Sequence, residues 1–91
     1  MMNVLMPEIT NATPLTFTLE LHDGSSISKV GEAVTYFTNL SKDRRESSHW
    51  RVAIRMLDHA IGEPSYLRAA TMSLQTALTL DGALDSSHTP L

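Results

Sequence analysis

The segment LTFTLELH at residues 15–22 alternates strictly between apolar and polar side chains. A period of two residues is typical of a β-strand that buries one face. The apolar face of this strand carries Leu15, Phe17, Leu19 and Leu21. Asp23-Gly24 follows and favours a tight hairpin turn, after which we predict a return strand over Ser25–Lys29. Because a two-stranded hairpin is marginal by itself, its apolar face must pack against the rest of the chain.

The chain after the hairpin contains three stretches with helical periodicity. At about 100° per residue, each stretch gathers its apolar side chains within one arc of a helix. The arcs consist of Val30, Ala33, Val34, Phe37 and Leu40; of Trp50, Ala53, Ile54, Leu57, Ala60 and Ile61; and of Leu67, Ala70, Leu74, Ala77 and Leu78. We therefore predict an α+β fold in the order ββααα, with an antiparallel hairpin packed on three helices. A brief third strand over Ala83-Leu84 is also predicted.

Capping residues predict where the helices begin and end. Ser28 is the predicted N-cap of the first helix, and Ser47 or Ser48 that of the second. Gly62 suits the position just after the second helix, and Asp81-Gly82 ends the third. The link between the second and third helices is so short that the two are predicted to form an antiparallel pair.

Length and composition predict one small domain. The chain has 91 residues, of which 42% are hydrophobic and 19% are charged, as in globular proteins. A 91-residue chain builds a single thin core and not two domains. We predict a flexible arm over residues 1–14, one α+β domain over 15–84 and a disordered tail over 85–91.

The chain from about Leu15 to Leu84 resembles the small bacterial family catalogued as domain of unknown function 982. The resemblance rests on the alternating strand with Asp23-Gly24 and on short stretches that follow it. These stretches are Val30-Gly31-Glu32-Ala33, Arg51-Val52-Ala53, Ala60-Ile61-Gly62, Leu67-Arg68-Ala69-Ala70 and Thr76-Ala77. The sequence departs from the family just after the first helix, where Asn39-Leu40-Ser41-Lys42 stands in place of a Trp-Pro, and in the second helix, where Met56 stands in place of a cysteine. The resemblance implies a compact α+β domain and supplies no catalytic residues, since the family has no assigned activity.

The residue types that most often form catalytic and metal sites are absent from the sequence or far apart in it. Cysteine is absent, which excludes disulfides, thiolate metal sites and a cysteine nucleophile. His49 and His59 are separated by about 15 Å along a helix, too far to share one metal ion. His22 and His88 lie in other parts of the chain. Since no catalytic motif is present either, we predict no cofactor, no metal and no enzymatic activity.

A basic segment at 42–55 stands out in an otherwise acidic chain. Its five basic and two acidic residues give a local charge of +3, against −3 for the whole chain. Arg44, Arg45, Arg51 and Arg55 are therefore candidate anion ligands, and anion or nucleic-acid binding is the alternative function. The acidic total and the lack of interleaved aromatic residues disfavour nucleic acid.

The wide apolar arc of the second predicted helix favours a protein–protein contact instead. Val52 and Met56 widen its apolar arc to about 200°, when a surface helix needs about 100°. We predict a contact surface of Val52, Met56 and Tyr66, oriented by Arg51 and Arg55. The leading prediction is a small, cytoplasmic, non-catalytic interaction module that binds a protein partner or itself as a homodimer, with no membrane contact.

Overall fold

The alternating segment forms the first strand of an antiparallel hairpin, as predicted. The computed structural model describes residues 9–84, in which β1 spans Pro14–Glu20 and β2 spans Ser26–Lys29. At the turn, the Asp23 carboxylate accepts hydrogen bonds from the Ser25 amide and hydroxyl at 2.9 and 2.5 Å. Gly24 adopts a φ of 90°, a conformation that glycine reaches without steric cost.

The pairing of β1 with β2 is irregular, and this irregularity exposes Phe17. Pro14 pairs with Lys29 and Leu19 with Ile27, so five residue steps on β1 face two on β2. The extra residues break the two-residue alternation in the middle of β1. Phe17 is consequently 37% exposed, whereas we predicted it in the core.

Four helices follow the hairpin, so the predicted α+β class is confirmed and the predicted count of three is wrong. They are α1 (Val30–Asn39), α2 (Lys42–Arg45), α3 (Ser48–Gly62) and α4 (Leu67–Leu80). The additional helix, α2, forms in the predicted polar connection because Ser41 caps it, accepting a hydrogen bond from the Arg44 amide at 3.3 Å. A single 3₁₀ turn over Pro64–Tyr66 leads into α4.

The helix ends differ from the predicted caps in two places. The N-cap of α1 is Lys29 rather than Ser28, because Glu32 folds back and accepts from both of their amides at 3.3 and 2.7 Å. Gly62 is the last residue of α3 rather than the residue after it. Ser47 is the N-cap of α3, although its hydroxyl donates to the Arg44 carbonyl at 2.6 Å instead of capping an amide.

The core lies between the hairpin and the helices and centres on Trp50, which is fully buried. Tyr36 stacks on the Trp50 ring at a centroid distance of 5.6 Å, and Phe37 meets it edge-on at 5.7 Å. The predicted arcs of α3 and α4 supply half of the remaining buried apolar residues, and the hairpin, α1 and the chain beside them supply the other half. Val34 and Ile61, however, are exposed rather than buried.

The described part of the predicted arm packs against the start of α1. The Val30 and Gly31 amides donate to the carbonyls of Thr13 and Asn11, both at 2.9 Å, which satisfies two amides at the start of α1. Ile9 packs against the core. Residues 1–8, and the whole predicted tail at 85–91, lie outside the described residues.

Near the end of the described chain, Leu84 forms an isolated antiparallel bridge with Leu21. The predicted third strand is therefore reduced to this bridge and to a hydrogen bond from the His22 amide to the Ala83 carbonyl at 3.0 Å. Among the helices of residues 9–84, none combines the length and the apolar character that crossing a membrane requires.

Candidate functional site

Helix α3 presents apolar side chains on both sides of its buried stripe. The stripe consists of Trp50, Ala53, Leu57 and Ala60. At about 100° per residue, Val52 and Met56 lie on one side of the stripe and Ile54 and Ile61 on the other. Arg51 and Arg55 lie on the solvent face, opposite the stripe, and both are exposed. The two sides of the wide apolar arc predicted for this helix therefore lie beside different parts of the fold.

The first side, which we call the α4 flank, contains the predicted contact residues Val52 and Met56. Val52 is 50% exposed, and Met56 is partly buried against the core. Val52 borders a shallow groove of about 210 Å³ together with His49, Ser73 and Thr76. The third predicted contact residue, Tyr66, is exposed in the 3₁₀ turn beyond α3, where its ring lies 5.8 Å from that of His59.

The second side forms a groove between α1 and α3, the α1 groove, which we did not predict. Val34 is 39% exposed and Ile61 48% exposed, and Ile54 is half-buried between them. The groove has a volume of about 190 Å³ and is lined by Val34, Phe37, Ile54, Leu57, Asp58 and Ile61. Val34 and Ile61 lie at the edges of their apolar arcs. This edge position is the signal in the sequence from which their exposure could have been predicted, because a residue at the edge of an arc is buried only when a neighbouring helix covers that edge.

A partly buried polar cluster joins α2, α3 and the end of α4 through Asp81. The Asp81 carboxylate accepts hydrogen bonds from Trp50 Nε1 at 2.7 Å and Arg44 at 2.6 Å, and contacts His49 Nε2 at 2.8 Å. Burial of this carboxyl group raises its pKa, but the hydrogen bonds from Trp50, Arg44 and His49 outweigh burial and lower the pKa to about 2. Asp81 therefore stays ionised and fixes the N-terminal half of α3. From the sequence we assigned Asp81 only to the end of a helix.

The arrangement of Ser47, His49 and Asp81 does not activate a nucleophile. The Ser47 hydroxyl lies 3.4 Å from His49 Nε2, the same nitrogen that contacts Asp81. An ionised carboxylate only accepts hydrogen bonds, so Nε2 carries the hydrogen and has no lone pair for the serine proton. A catalytic relay instead uses the two ring nitrogens separately. Elsewhere in residues 9–84, no group of three or more histidine and acidic side chains is placed to hold a metal ion.

The candidate anion ligands are divided by the fold. Arg44 is tied to Asp81, whose hydrogen bond raises the pKa of the guanidinium. Arg45, Arg51 and Arg55 are exposed, and within the described chain none of them forms an ion pair. The same holds for Asp58, so Arg55 and Asp58, three residues apart on α3, do not form an ion pair with each other.

The chain matches no protein-family model, no curated protein and no solved structure. The resemblance to the domain of unknown function 982 family therefore stays a prediction from the sequence.

Proposed function

We propose that this chain is a non-catalytic protein-interaction module that forms a homodimer through α3. The observation that carries the proposal is the exposure of large apolar side chains on both sides of the α3 stripe, Val52 on one and Ile61 on the other. Exposed apolar surface that is bordered by charged residues is typical of protein–protein contacts. Arg51 and Arg55 supply that charged border on α3.

The polar chemistry of the described residues supports a binding role over a catalytic one. The two grooves beside α3 have volumes of about 210 and 190 Å³. Pockets that enclose small-molecule substrates typically have volumes of about 300–1,000 Å³. The Asp81 carboxylate is engaged by three side chains of its own chain.

A second copy of the chain is the proposed partner because twofold homodimers are the commonest oligomers. In such a dimer one surface contacts its own copy, so α3 supplies the residues of both halves. The predicted residues Val52, Met56 and Tyr66, with Arg51 and Arg55, remain part of the proposed contact region.

Sedimentation velocity of the full chain at low and at high micromolar concentration tests the proposal. We expect the sedimenting mass to rise from one chain to two as the concentration increases. A chain that keeps the mass of a monomer at high micromolar concentration contradicts the proposal.

Anion or nucleic-acid binding is the second candidate, and the exposed Arg45, Arg51 and Arg55 favour it because none of them is neutralised by an ion pair within the described chain. Fluorescence anisotropy with labelled single-stranded RNA and DNA tests it at low and at physiological salt. If phosphate contacts drive binding, the affinity must fall steeply as the salt concentration rises. The affinity must also fall more in Arg45→Glu than in the control Arg68→Glu on α4. If no binding is detected at low salt, this candidate is wrong.

A further inference from the structure

The α1 groove combines an apolar floor with a charged edge. Phe37 and Leu57 are buried at its floor, while Val34 and Ile61 leave apolar surface exposed at its rim. Asp58 lines the same groove and forms no ion pair with another described residue. The groove therefore offers both apolar area and an uncompensated negative charge to whatever covers it.

Helix α3 carries a second side-chain stripe along this edge. Arg51, Ile54, Asp58 and Ile61 are spaced by three, four and three residues, the spacing at which one helix packs along another. The stripe alternates between charged and apolar residues, with the positive charge near one end and the negative charge near the other. Arg51 and Asp58 are separated by about 10 Å along the helix axis, so they lie too far apart to neutralise each other within one helix.

We infer that the α1 groove is the dimer contact and that it receives α3 of a second copy, packed antiparallel around a twofold axis that crosses this face of α3 at the level of residue 56. This inference rests on the proposed function and names the surface and the partner. In this arrangement Ile54 lies opposite Asp58 of the partner subunit, and Arg51 lies opposite Ile61 of the partner subunit. Since Arg51 is one helical turn from Ile54, its guanidinium reaches the partner's Asp58, and the twofold axis forms this ion pair twice.

Charge complementarity is the reason for choosing a second copy as the occupant. An antiparallel pairing of the stripe with itself places opposite charges together and apolar residues beside the aliphatic stem of Arg51. A parallel pairing places Arg51 against Arg51 and Asp58 against Asp58, which disfavours it. The α4 flank shows no such pattern, because the groove beside Val52 is bordered by the small polar residues Ser73 and Thr76.

The apolar part of the contact is tested by Val34→Asp and Ile61→Asp, measured by sedimentation velocity on the full chain. Both side chains are exposed, so the substitutions leave the core intact. Met72→Asp on α4 is the matched control, because Met72 and Ile61 are both 48% exposed. We expect each groove variant to weaken the dimer by about tenfold or more, and the control to leave it unchanged.

The proposed ion pair is tested by exchanging the charges of Arg51 and Asp58. Arg51→Asp places two acidic residues together at both ends of the twofold contact and is expected to weaken the dimer by about tenfold. Adding Asp58→Arg to this variant restores opposite charges and is expected to restore most of the affinity. Restoration identifies an intermolecular pair, because the two residues do not reach each other within one chain.

Failure of this inference is distinguishable from failure of the proposed function. A dimer that persists in Val34→Asp and Ile61→Asp but dissociates in Val52→Asp contradicts the groove and keeps the interaction module. A charge exchange that does not restore the affinity contradicts the antiparallel pairing. A wild-type chain that is monomeric throughout contradicts both the groove as a dimer contact and the proposed homodimer.

Discussion

Asp81 shows how much one side chain just beyond a helix can connect. It receives Arg44 from the region of α2 and two side chains from the start of α3, so three elements meet at a single carboxylate. The indole of Trp50 is fully buried, and Asp81 accepts its only hydrogen-bond donor. Replacing Asp81 by asparagine keeps the volume of the side chain but removes its charge, so its three hydrogen-bond partners lose their charged acceptor.

We expect Asp81→Asn to lower the free energy of unfolding by about 1–2 kcal/mol at pH 7. This range allows for solvent screening of the interaction with Arg44, whose side chain is partly exposed. The pKa of Asp81 falls from 3.8 to about 2 on folding, so its contribution is complete above about pH 4. As pH falls through about 2, both states become protonated and the difference between wild type and variant disappears. Urea unfolding at several pH values measures this, with the exposed Asp43→Asn as control. A difference that stays constant down to pH 2 contradicts the role of the charge.

Gly31 permits a close contact between the N-terminal segment and α1. A Cβ atom at this position would lie 2.8 Å from the Asn11 Cβ and 3.0 Å from the Asn11 carbonyl oxygen. Gly62, also in a helix, has no atom within 4 Å of the same position. The two glycines therefore predict opposite effects of the same substitution.

We expect Gly31→Ala to destabilise the chain by about 1–3 kcal/mol, because Asn11 must move and its hydrogen bond to the Gly31 amide is strained. Gly62→Ala is expected to be neutral or to stabilise by up to about 1 kcal/mol, since alanine favours the helix. Thermal unfolding of both variants gives the comparison. Equal effects at the two positions are incompatible with a specific contact at Gly31.

At the scale of elements, the irregular middle of β1 is held by α4. The Thr16 amide donates to the Thr71 hydroxyl at 3.2 Å, and that hydroxyl donates to the Leu67 carbonyl at 2.9 Å. Thr71 is the one buried polar residue among the described residues, and both of its hydrogen bonds join backbone groups. One hydroxyl thus connects the hairpin to the helix that covers it.

We expect Thr71→Val to lower the free energy of unfolding by about 1–2 kcal/mol, because it keeps the volume but leaves the Thr16 amide without an acceptor. Thr71→Ser retains the hydroxyl and serves as control, losing only the methyl group. Hydrogen exchange of the Thr16 amide is the specific readout. It is expected to accelerate in the valine variant and to remain slow in the serine variant, and equal rates in the two contradict the assignment.

At the scale of the whole molecule, dimerisation links stability to concentration. A dimer that is more stable than its separated chains gains unfolding free energy as the protein concentration rises. The apolar surface left exposed at Val34 and Ile61 is what the second copy covers in the proposed dimer.

The midpoint of thermal unfolding is therefore expected to rise by several degrees between low and high micromolar wild-type protein. The midpoint of Ile61→Asp is expected to be independent of concentration, and that of the control Met72→Asp to rise like the wild type. Differential scanning calorimetry at matched concentrations provides the test. A wild-type midpoint that does not change with concentration argues against the dimer.

Periodicity by itself determined the α+β class and the buried stripes of α3 and α4, because local repeats of two and about 3.6 residues are recorded directly in the sequence. The hairpin turn was determined by the local preference of the Asp23-Gly24 pair for a tight turn. The exposure of Phe17, Val34 and Ile61 was decided by tertiary structure, because it depends on strand register and on how closely α1 approaches α3. The Asp81 cluster was decided in the same way: its carboxylate and its three partners are brought together only when the end of α4 reaches the start of α3, and no local pattern encodes that distance.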